Sequence, residues 1–473
     1  MLRLIFLTVL PLLASRFLLS AGDTSTTYFR QHGGVLESTA PLPENFDDGA
    51  TLVWSSELGS GHSTPTLVED RIFLTTFTDD ELATIALNRE TGQQLWRKVC
   101  PAKTIESYHP SGSPAASTIA SDGQHLYVFF GSYGLLCYDL DGELQWEKPM
   151  GPFQDEFGAA SSPILVDGTI ILNEDHDINS FITAINAATG ETLWETDRPG
   201  FTRSYSTPVI WEVNGKKQVV VAGALVLSGY DLENGSLLWQ MRGLSRIVDN
   251  TPVVANGNLF VATWSPGGDE GDRISMEPFD EALTTYDKDG DKLIGKDELS
   301  DGPVLDRFYR IDLNQNQKLD ADEWQKYANV FEQAQNVAVA IRPGGRGDIT
   351  DTHVIWTHRK GLPTVPSPVV HDSILYMVKD GGIVTALDAS TGEVIQQVRT
   401  GVSAPYYASP IIADNKLYLA SRSGVLTVFK AGPDLERLSS HDFAANITAT
   451  PVADKEHIFV RTEKMIYCFT LKN

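Results

Sequence analysis

The chain has 473 residues, with 62 acidic against 37 basic side chains, a net charge of −25 and an isoelectric point near 4.7. A nucleic-acid backbone would repel so acidic a surface, so the composition excludes a nucleic-acid partner. The chain is longer than the about 250–300 residues at which one hydrophobic core stops growing, which favours a repeat architecture. Cys100, Cys137 and Cys468 are its cysteines, too few for a disulfide scaffold, and we expect buried, inert thiols.

The first residues have the pattern of an export signal. Arg3 precedes an apolar run from Leu4 to Ala14, which is shorter than the about 20 residues that span a bilayer. We predict a signal peptide over residues 1–22, an N-terminal linker over residues 23–50 and no membrane span. The protein is therefore expected to be exported, to the periplasm or out of the cell.

A repeat of short strands then occupies most of the chain. Each unit opens with Ser or Thr close to a proline, at Pro65, Pro114, Pro163, Pro208, Pro252, Pro368, Pro410 and Pro451. Apolar runs between Gly, Asp and Asn turns indicate antiparallel strands, and a strand tolerates proline at its first residue. A tryptophan stands four residues after a turn glycine at Trp96, Trp146, Trp194 and Trp239. We expect each indole to cover a seam between neighbouring units and to donate its N–H there.

Eight four-stranded units predict an all-β fold, an eight-bladed β-propeller. The last unit runs out after three strands, so residues 51–58, which include Trp54, are expected to complete blade eight. The propeller is predicted over residues 51–264 and 336–473. The long interval between Pro252 and Pro368 places an α-helical insertion, residues 265–335, between the second and third strands of blade five.

The insertion contains two acidic loops of twelve residues, 287–298 and 312–323. Both have the layout of an EF-hand calcium loop, with oxygen ligands at positions 1, 3 and 5, a main-chain carbonyl at position 7 and a glutamate at position 12. The predicted calcium ligands are Asp287, Asp289, Asp291, Leu293, Glu298, Asp312, Asn314, Asn316, Lys318 and Glu323. An apolar residue at position 8 lets two such loops pair, which favours an EF-hand pair with two calcium sites.

Position 6 departs from the EF-hand pattern in both loops. Lys292 and Gln317 stand where the pattern has glycine for a sharp turn. A left-handed conformation costs a non-glycine residue about 1–2 kcal/mol, so we expect weak calcium binding, in the range of about 10⁻⁵ to 10⁻³ M. The alternative is a degenerate pair of loops that binds nothing.

The repeat motif resembles the quinoprotein alcohol dehydrogenase-like propeller superfamily. The segments FRQHGGV from Phe29, FFGSYGLLCYDLDGELQWEK from Phe129 and YASPIIADNKLYLASRSG from Tyr407 resemble exported PQQ-binding-like repeat proteins of planctomycete-like bacteria. The enzymes of the superfamily use a vicinal disulfide against PQQ, and this chain has no adjacent pair of cysteines. PQQ is therefore not an expected cofactor, and no residue is assigned to catalysis.

Side chains in the crossovers between blades are the remaining candidates for a ligand site. They are Glu57, His62, Tyr108, His109, Glu156, Arg203, Tyr205, Arg246, Asp249, Tyr406 and Tyr407. Such a mixture suits a carbohydrate or peptide ligand, although each residue could instead satisfy loop backbone. His176, between Asp175 and Asp177, is interpreted as a turn residue rather than a metal ligand. Two functions remain open: a calcium-binding, non-catalytic scaffold for a protein or glycan, and a PQQ-dependent or other cryptic exported oxidoreductase.

Overall fold

The fold is an eight-bladed β-propeller, seen in a computed structural model that describes residues 28–46 and 51–471. The predicted signal peptide lies outside the described residues. Blades one to four comprise Thr66–Val68, Arg71–Thr78, Glu81–Asn88 and Gln94–Val99; Ala120–Ser121, His125–Phe130, Gly134–Asp139 and Leu144–Pro149; Ile164–Val166, Thr169–Glu174, Phe181–Asn186 and Thr192–Asp197; and Val209–Val213, Lys216–Gly223, Val226–Asp231 and Leu237–Arg242.

Blades five to eight repeat this pattern, and the first described strand belongs to the last blade. They comprise Val253–Ala255, Asn258–Thr263, Val337–Ile341 and Val354–His358; Val369–His371, Ile374–Lys379, Ile383–Asp388 and Val394–Arg399; Ile411–Ala413, Lys416–Ala420, Val425–Lys430 and Arg437–Asp442; and Val452–Ala453, Ile458–Arg461, Met465–Phe469 and Leu52–Glu57. Leu52–Glu57 pairs antiparallel with Met465–Phe469, so one sheet holds strands from both ends of the described chain.

Tryptophans and glycines of neighbouring blades interlock at the outer seams. The indole N–H of Trp194 donates to the Leu232 carbonyl of the next blade at 2.9 Å, and Trp54, Trp96, Trp146 and Trp356 make the equivalent bond. Gly235 adopts φ of +72° in the turn that receives Trp194, and a methyl group there would overlap the indole ring. The repeated glycine thus combines a left-handed turn with space for the tryptophan of the preceding blade.

The predicted role of tryptophan is confirmed for Trp96, Trp146 and Trp194 and is wrong for Trp239. The Trp239 indole donates within its own blade to Gln218 at 2.7 Å. Trp211 packs against it edge to face, with the ring centroids 5.9 Å apart, and donates to the Gly257 carbonyl of blade five at 3.1 Å. In this blade a second tryptophan therefore bridges the seam.

The insertion between the second and third strands of blade five is helical. It contains a short 3₁₀ turn, Glu270–Asp272, and helices α1 (Phe279–Tyr286), α2 (Pro303–Asp306), α3 (Phe308–Ile311) and α4 (Ala321–Gln333). Asp320 caps α4: it accepts the Glu323 backbone N–H, while the Glu323 side chain accepts the Asp320 N–H. Trp324, Tyr327 and Phe331 on α4 pack into the small core of the insertion. No described helix is long and apolar enough to cross a membrane.

The loop after the third strand of blade five extends the neighbouring blade. Its residues Gly347–Asp348 pair parallel with the outer strand Leu237–Arg242 of blade four. A one-turn helix, α5 (Thr350–His353), follows and leads into the outer strand of blade five.

Candidate functional site

The insertion packs on the crossover face, where the inner strands of the blades begin. The Gln154 amide, in the crossover to blade three, donates to the Leu313 carbonyl of the second acidic loop. Arg203, in the crossover to blade four, donates to the Tyr327 hydroxyl of α4 at 3.2 Å. The same guanidinium forms ion pairs with Glu156 at 2.8 Å and with Asp177. The insertion is therefore tied to two crossovers outside its own blade.

The predicted ligands of the first acidic loop lie together. Ligand atoms of Asp287, Asp289 and Asp291 all lie within 4.8 Å of one another. Glu298 accepts the backbone N–H groups of Lys288 at 2.7 Å and of Gly295 at 2.7 Å, which holds its carboxylate beside the loop. Three carboxylates thus lie together, and a fourth is held beside the same loop by backbone N–H groups.

The second acidic loop repeats this hydrogen-bond pattern. Asp312 accepts the Asn316 N–H at 3.0 Å and the Gln317 N–H at 2.9 Å, and Asn316 accepts the Lys318 N–H at 2.8 Å. Glu323, which is 3% exposed, accepts the Asn314 N–H at 3.0 Å. Both loops therefore fold back on their first aspartate and last glutamate.

A two-residue β-ladder joins the loops, as position 8 led us to expect. Ile294 pairs with Leu319, and both side chains are fully buried. The Lys318 ammonium group reaches across to the first loop, where it contacts the carboxylates of Asp289 and Asp291. A cation from one loop thus lies against two acidic groups of the other.

Position 6 has the left-handed conformation that the EF-hand pattern assigns to glycine. Lys292 has φ of +68° and Gln317 has φ of +67°. Neither residue is glycine, so each turn carries the backbone strain that the sequence predicted.

A ring of hydroxyl groups surrounds the central channel on the crossover face. At six of the eight seams, the backbone N–H of a ring residue donates to the side-chain hydroxyl oxygen of the ring residue in the next blade, at 2.9–3.1 Å. The members of this hydroxyl ring are Thr64, Thr118, Ser162, Thr207, Thr251, Ser367, Ser409 and Thr450. In seven blades the member immediately precedes the repeat proline. In blade two the ring member is Thr118. Pro114 was predicted to open the inner strand of this blade, which is wrong, because that strand is Ala120–Ser121.

The N-terminal segment runs through the channel beneath the hydroxyl ring. Arg30 donates to the carbonyls of Pro410 at 3.0 Å and of Pro368, at the inner strands of blades seven and six. Val35 bridges to Ile412, while Tyr28 packs against blades two to four on the other side. Phe29 forms the floor of a cavity of about 370 Å³ whose walls include the hydroxyl ring. The described part of the predicted linker is thus packed into the ring.

Five of the eleven crossover candidates line this central cavity: His62, Tyr205, Arg246, Asp249 and Tyr407. His62 and Tyr108 line an adjoining cavity of about 480 Å³ toward blade eight. The other candidates are placed elsewhere: Glu156 and Arg203 pair beneath the insertion, Tyr406 is buried against Thr400, His109 contacts Ser111, and Glu57 is in the outer strand of blade eight.

Burial changes the ionisation of the groups that face the central cavity. The pKa of Asp249 is raised to about 7, chiefly by burial, although Arg246 opposes the change. The pKa of His62 is lowered to about 3 by burial and by the positive charges of Arg461 and Arg422. His62 is therefore neutral at physiological pH.

The sequence did not indicate a buried acidic cluster between blades two and three. Both carboxylate oxygens of Glu106 and one of Glu174 have no hydrogen-bond partner among the described residues. His176 lies in the loop directly after the strand Thr169–Glu174, where it was expected, but it is 2% exposed, stacks on Phe153 and lies 3.2 Å from Glu174. Burial raises the pKa of Glu106 to about 8 and lowers that of His176 to about 3. The uncharged forms of these groups are favoured.

Comparisons with known proteins agree with the repeat and the fold. The sequence model of the family described as "Outer membrane protein assembly factor BamB" matches residues 45–156, 85–315 and 179–473. BamB of Yersinia pestis is 27% identical over 256 residues, which are 48% of this chain and 59% of that protein. BamB of Bordetella pertussis is 25% identical over 189 residues, 39% of this chain and 40% of that protein. The matched segments cover less than two thirds of either relative.

Solved structures with the same fold include another BamB and an enzyme. BamB from Moraxella catarrhalis superposes with a TM-score of 0.55 at 11% identity, over 89% of this chain and 99% of that one. A europium-containing methanol dehydrogenase gives a TM-score of 0.55 at 10% identity, over 95% of this chain and 98% of that one. At these identities the likeness concerns the fold alone. Because the family match extends over most of the sequence, this chain belongs to the BamB family of outer membrane protein assembly factors.

Proposed function

We propose that the protein is an exported, calcium-binding and non-catalytic propeller that serves as a binding or scaffolding module. The observation that carries the proposal is the pair of acidic loops, joined through Ile294 and Leu319 and tied to the crossover face. Calcium bound there would neutralise clustered carboxylates and stiffen the insertion. The partner class that the family description favours is a protein of outer membrane assembly, with a glycan as the alternative ligand.

The other candidate, a PQQ-dependent oxidoreductase, is favoured only by the fold shared with a methanol dehydrogenase. The residues present do not fit the quinone site implied by the superfamily. Cys100, Cys137 and Cys468 are buried in separate places, and burial raises the pKa of Cys100 and of Cys137 to about 12. The three thiols are buried, as predicted, and no two of them are adjacent, so no vicinal disulfide can form. Added PQQ with calcium should leave the quinone absorbance unchanged.

A calorimetric calcium titration tests the proposal. The mature protein should show two sites with dissociation constants of about 10⁻⁵ to 10⁻³ M. The Glu298→Gln/Glu323→Gln double variant should lose both, because each glutamate supplies the bidentate ligand of its loop. Asp280→Asn/Glu281→Gln, which removes two exposed acidic groups of α1 outside the loops, is the matched control and should bind normally. No heat from the wild type would overturn the proposal.

A further inference from the structure

Two arginines line the central cavity without an ion pair. Arg246 comes from the crossover to blade five and is 8% exposed; its Nε donates to the Pro266 carbonyl at 2.7 Å. Arg310 comes from α3 of the insertion. Neither guanidinium forms an ion pair with any residue in the described ranges. A protein of net charge −25 therefore brings two guanidinium groups to one cavity, whose one acidic lining residue among those described, Asp249, interacts electrostatically with Arg246.

The hydroxyl ring adds hydrogen-bond donors to the same cavity. Each ring oxygen that accepts a backbone N–H, such as that of Ser162 or Ser409, keeps its own proton for donation. The ring residues come just before the inner strands, whereas Arg246 is in a crossover and Arg310 is in the insertion, and all of them line the same cavity. A ligand held by Arg246 and Arg310 would thus have hydroxyl donors within the same cavity.

We propose that this cavity binds the carboxylate group of a small ligand, with Arg246 and Arg310 as the anchoring cations. A planar guanidinium matches a carboxylate through two parallel hydrogen bonds, which favours arginine at such sites. A volume of about 370 Å³ suits a compact ligand rather than a folded chain. Because Arg310 belongs to the insertion, the propeller alone would hold an incomplete site.

Asp249 is the one acidic group among the described residues that line the cavity. The other titratable groups there are His62, Tyr205, Arg246, Arg310 and Tyr407. Burial raises the pKa of Asp249 to about 7, so at pH 6 its carboxyl group is mostly protonated and can donate to a bound anion. At pH 8 it is charged and would repel that anion. The carboxylate ligand should therefore bind more tightly at pH 6 than at pH 8.

The carboxylate could come from a free organic acid or from the C-terminus of a peptide. The proposal rests on the binding role of this face but not on calcium, so titrations are run in EDTA. The probes are succinate, N-acetyl-tetra-alanine with a free C-terminus, and the same peptide as its amide, each followed by calorimetry at pH 6. We expect succinate or the acid peptide to bind with a dissociation constant below about 1 mM, and the amide not to bind.

Variants of the full chain test whether the two arginines bind the carboxylate. Arg310→Gln and Arg246→Gln should each weaken binding about tenfold or more, the effect of losing a charged hydrogen bond. Arg307→Gln is the matched control, since Arg307 lies in the same segment but bonds to its own turn at Pro303. Thermal unfolding establishes that each variant is folded. Failure of both carboxylates to bind at 10 mM, equal binding of the amide, or unchanged affinity in folded Arg310→Gln would overturn the proposal.

Discussion

The Tyr327 hydroxyl lies 3.2 Å from a guanidinium nitrogen of Arg203, which joins the last helix of the insertion to the crossover before blade four. Both residues are 3% exposed. A buried hydrogen bond to a charged donor is among the stronger non-covalent links available to a protein. The insertion is therefore fixed over the channel rather than free on a tether.

Tyr327→Phe should loosen this attachment without unfolding the propeller. The change leaves one buried N–H of Arg203 without its acceptor, at a cost of about 1–2 kcal/mol. We expect faster hydrogen exchange in α4, while the strand His125–Phe130 of blade two keeps its protection. Tyr309→Phe, at a side chain that is 56% exposed, should change neither. Unchanged exchange in α4 would show that this bond does not hold the insertion.

Gly235→Ala should destabilise the protein more than Gly215→Ala. The two glycines have φ of +72° and +73°, so a methyl group costs about 1–2 kcal/mol of backbone strain in each. At Gly235 the methyl group also overlaps the Trp194 ring, whereas at Gly215 it meets open space. We expect a further loss of about 1–3 kcal/mol for Gly235→Ala in denaturant unfolding. Equal losses would mean that the seam yields to accommodate the methyl group.

Glu106→Gln should stabilise the protein at alkaline pH. Burial raises the pKa of Glu106 from 4.5 to about 8, so the folded state keeps a proton that the unfolded chain releases above pH 4.5. The stability due to this proton is fully present below pH 4.5 and is lost as the pH rises to about 8. Glutamine removes that loss, with a gain of about 3–5 kcal/mol at pH 9 and little change at pH 4.

The measurement is thermal unfolding across this pH range, with Glu90→Gln at an exposed turn as the control. The control should follow the wild type at every pH. A loss of stability in Glu106→Gln at pH 9 would show instead that the carboxylate has a favourable partner in solution.

Lys292→Gly with Gln317→Gly should strengthen calcium binding. Both positions have φ near +68°, which glycine adopts without strain. If the calcium-free loops relax from this conformation, calcium binding has to restore the strained turn. Removing about 1–2 kcal/mol of strain per loop then raises the affinity about tenfold. Lys292→Ala with Gln317→Ala removes the same side chains but keeps the strain, and should not show the gain. Calorimetry compares the three proteins, and equal affinities would mean that the turns are already held in place without calcium.

The fold was predictable because the sequence features that define each blade are local. Proline-led strands, turn glycines and tryptophans each report one blade, and repetition made eight blades and the site of the insertion visible. Trp239 and Pro114 were misjudged because single blades depart from the repeat: Trp211 bridges the seam after blade four, and Thr118, not the residue before Pro114, supplies the ring hydroxyl of blade two. A repeat pattern does not show which blades use a different residue for the same contact.

The candidate site was predictable only in part. The acidic loops are contiguous in sequence, so their ligands could be named one by one. The central cavity joins Phe29, Arg246 and Arg310 from three distant segments, and the hydroxyl ring is visible only once the blades close. The burial of His176 could not be predicted, because Phe153, on which its ring stacks, comes from the preceding crossover.

Pairing of Leu52–Glu57 with Met465–Phe469 also has a kinetic consequence. During synthesis the first of these strands cannot meet its neighbour until the residues up to Phe469 have been made. Contacts between such distant segments form slowly, because a very long loop has to close. Until then two unpaired strand edges remain open to other chains. The time that these two strands take to pair and close the propeller therefore sets how long the protein needs protection from aggregation.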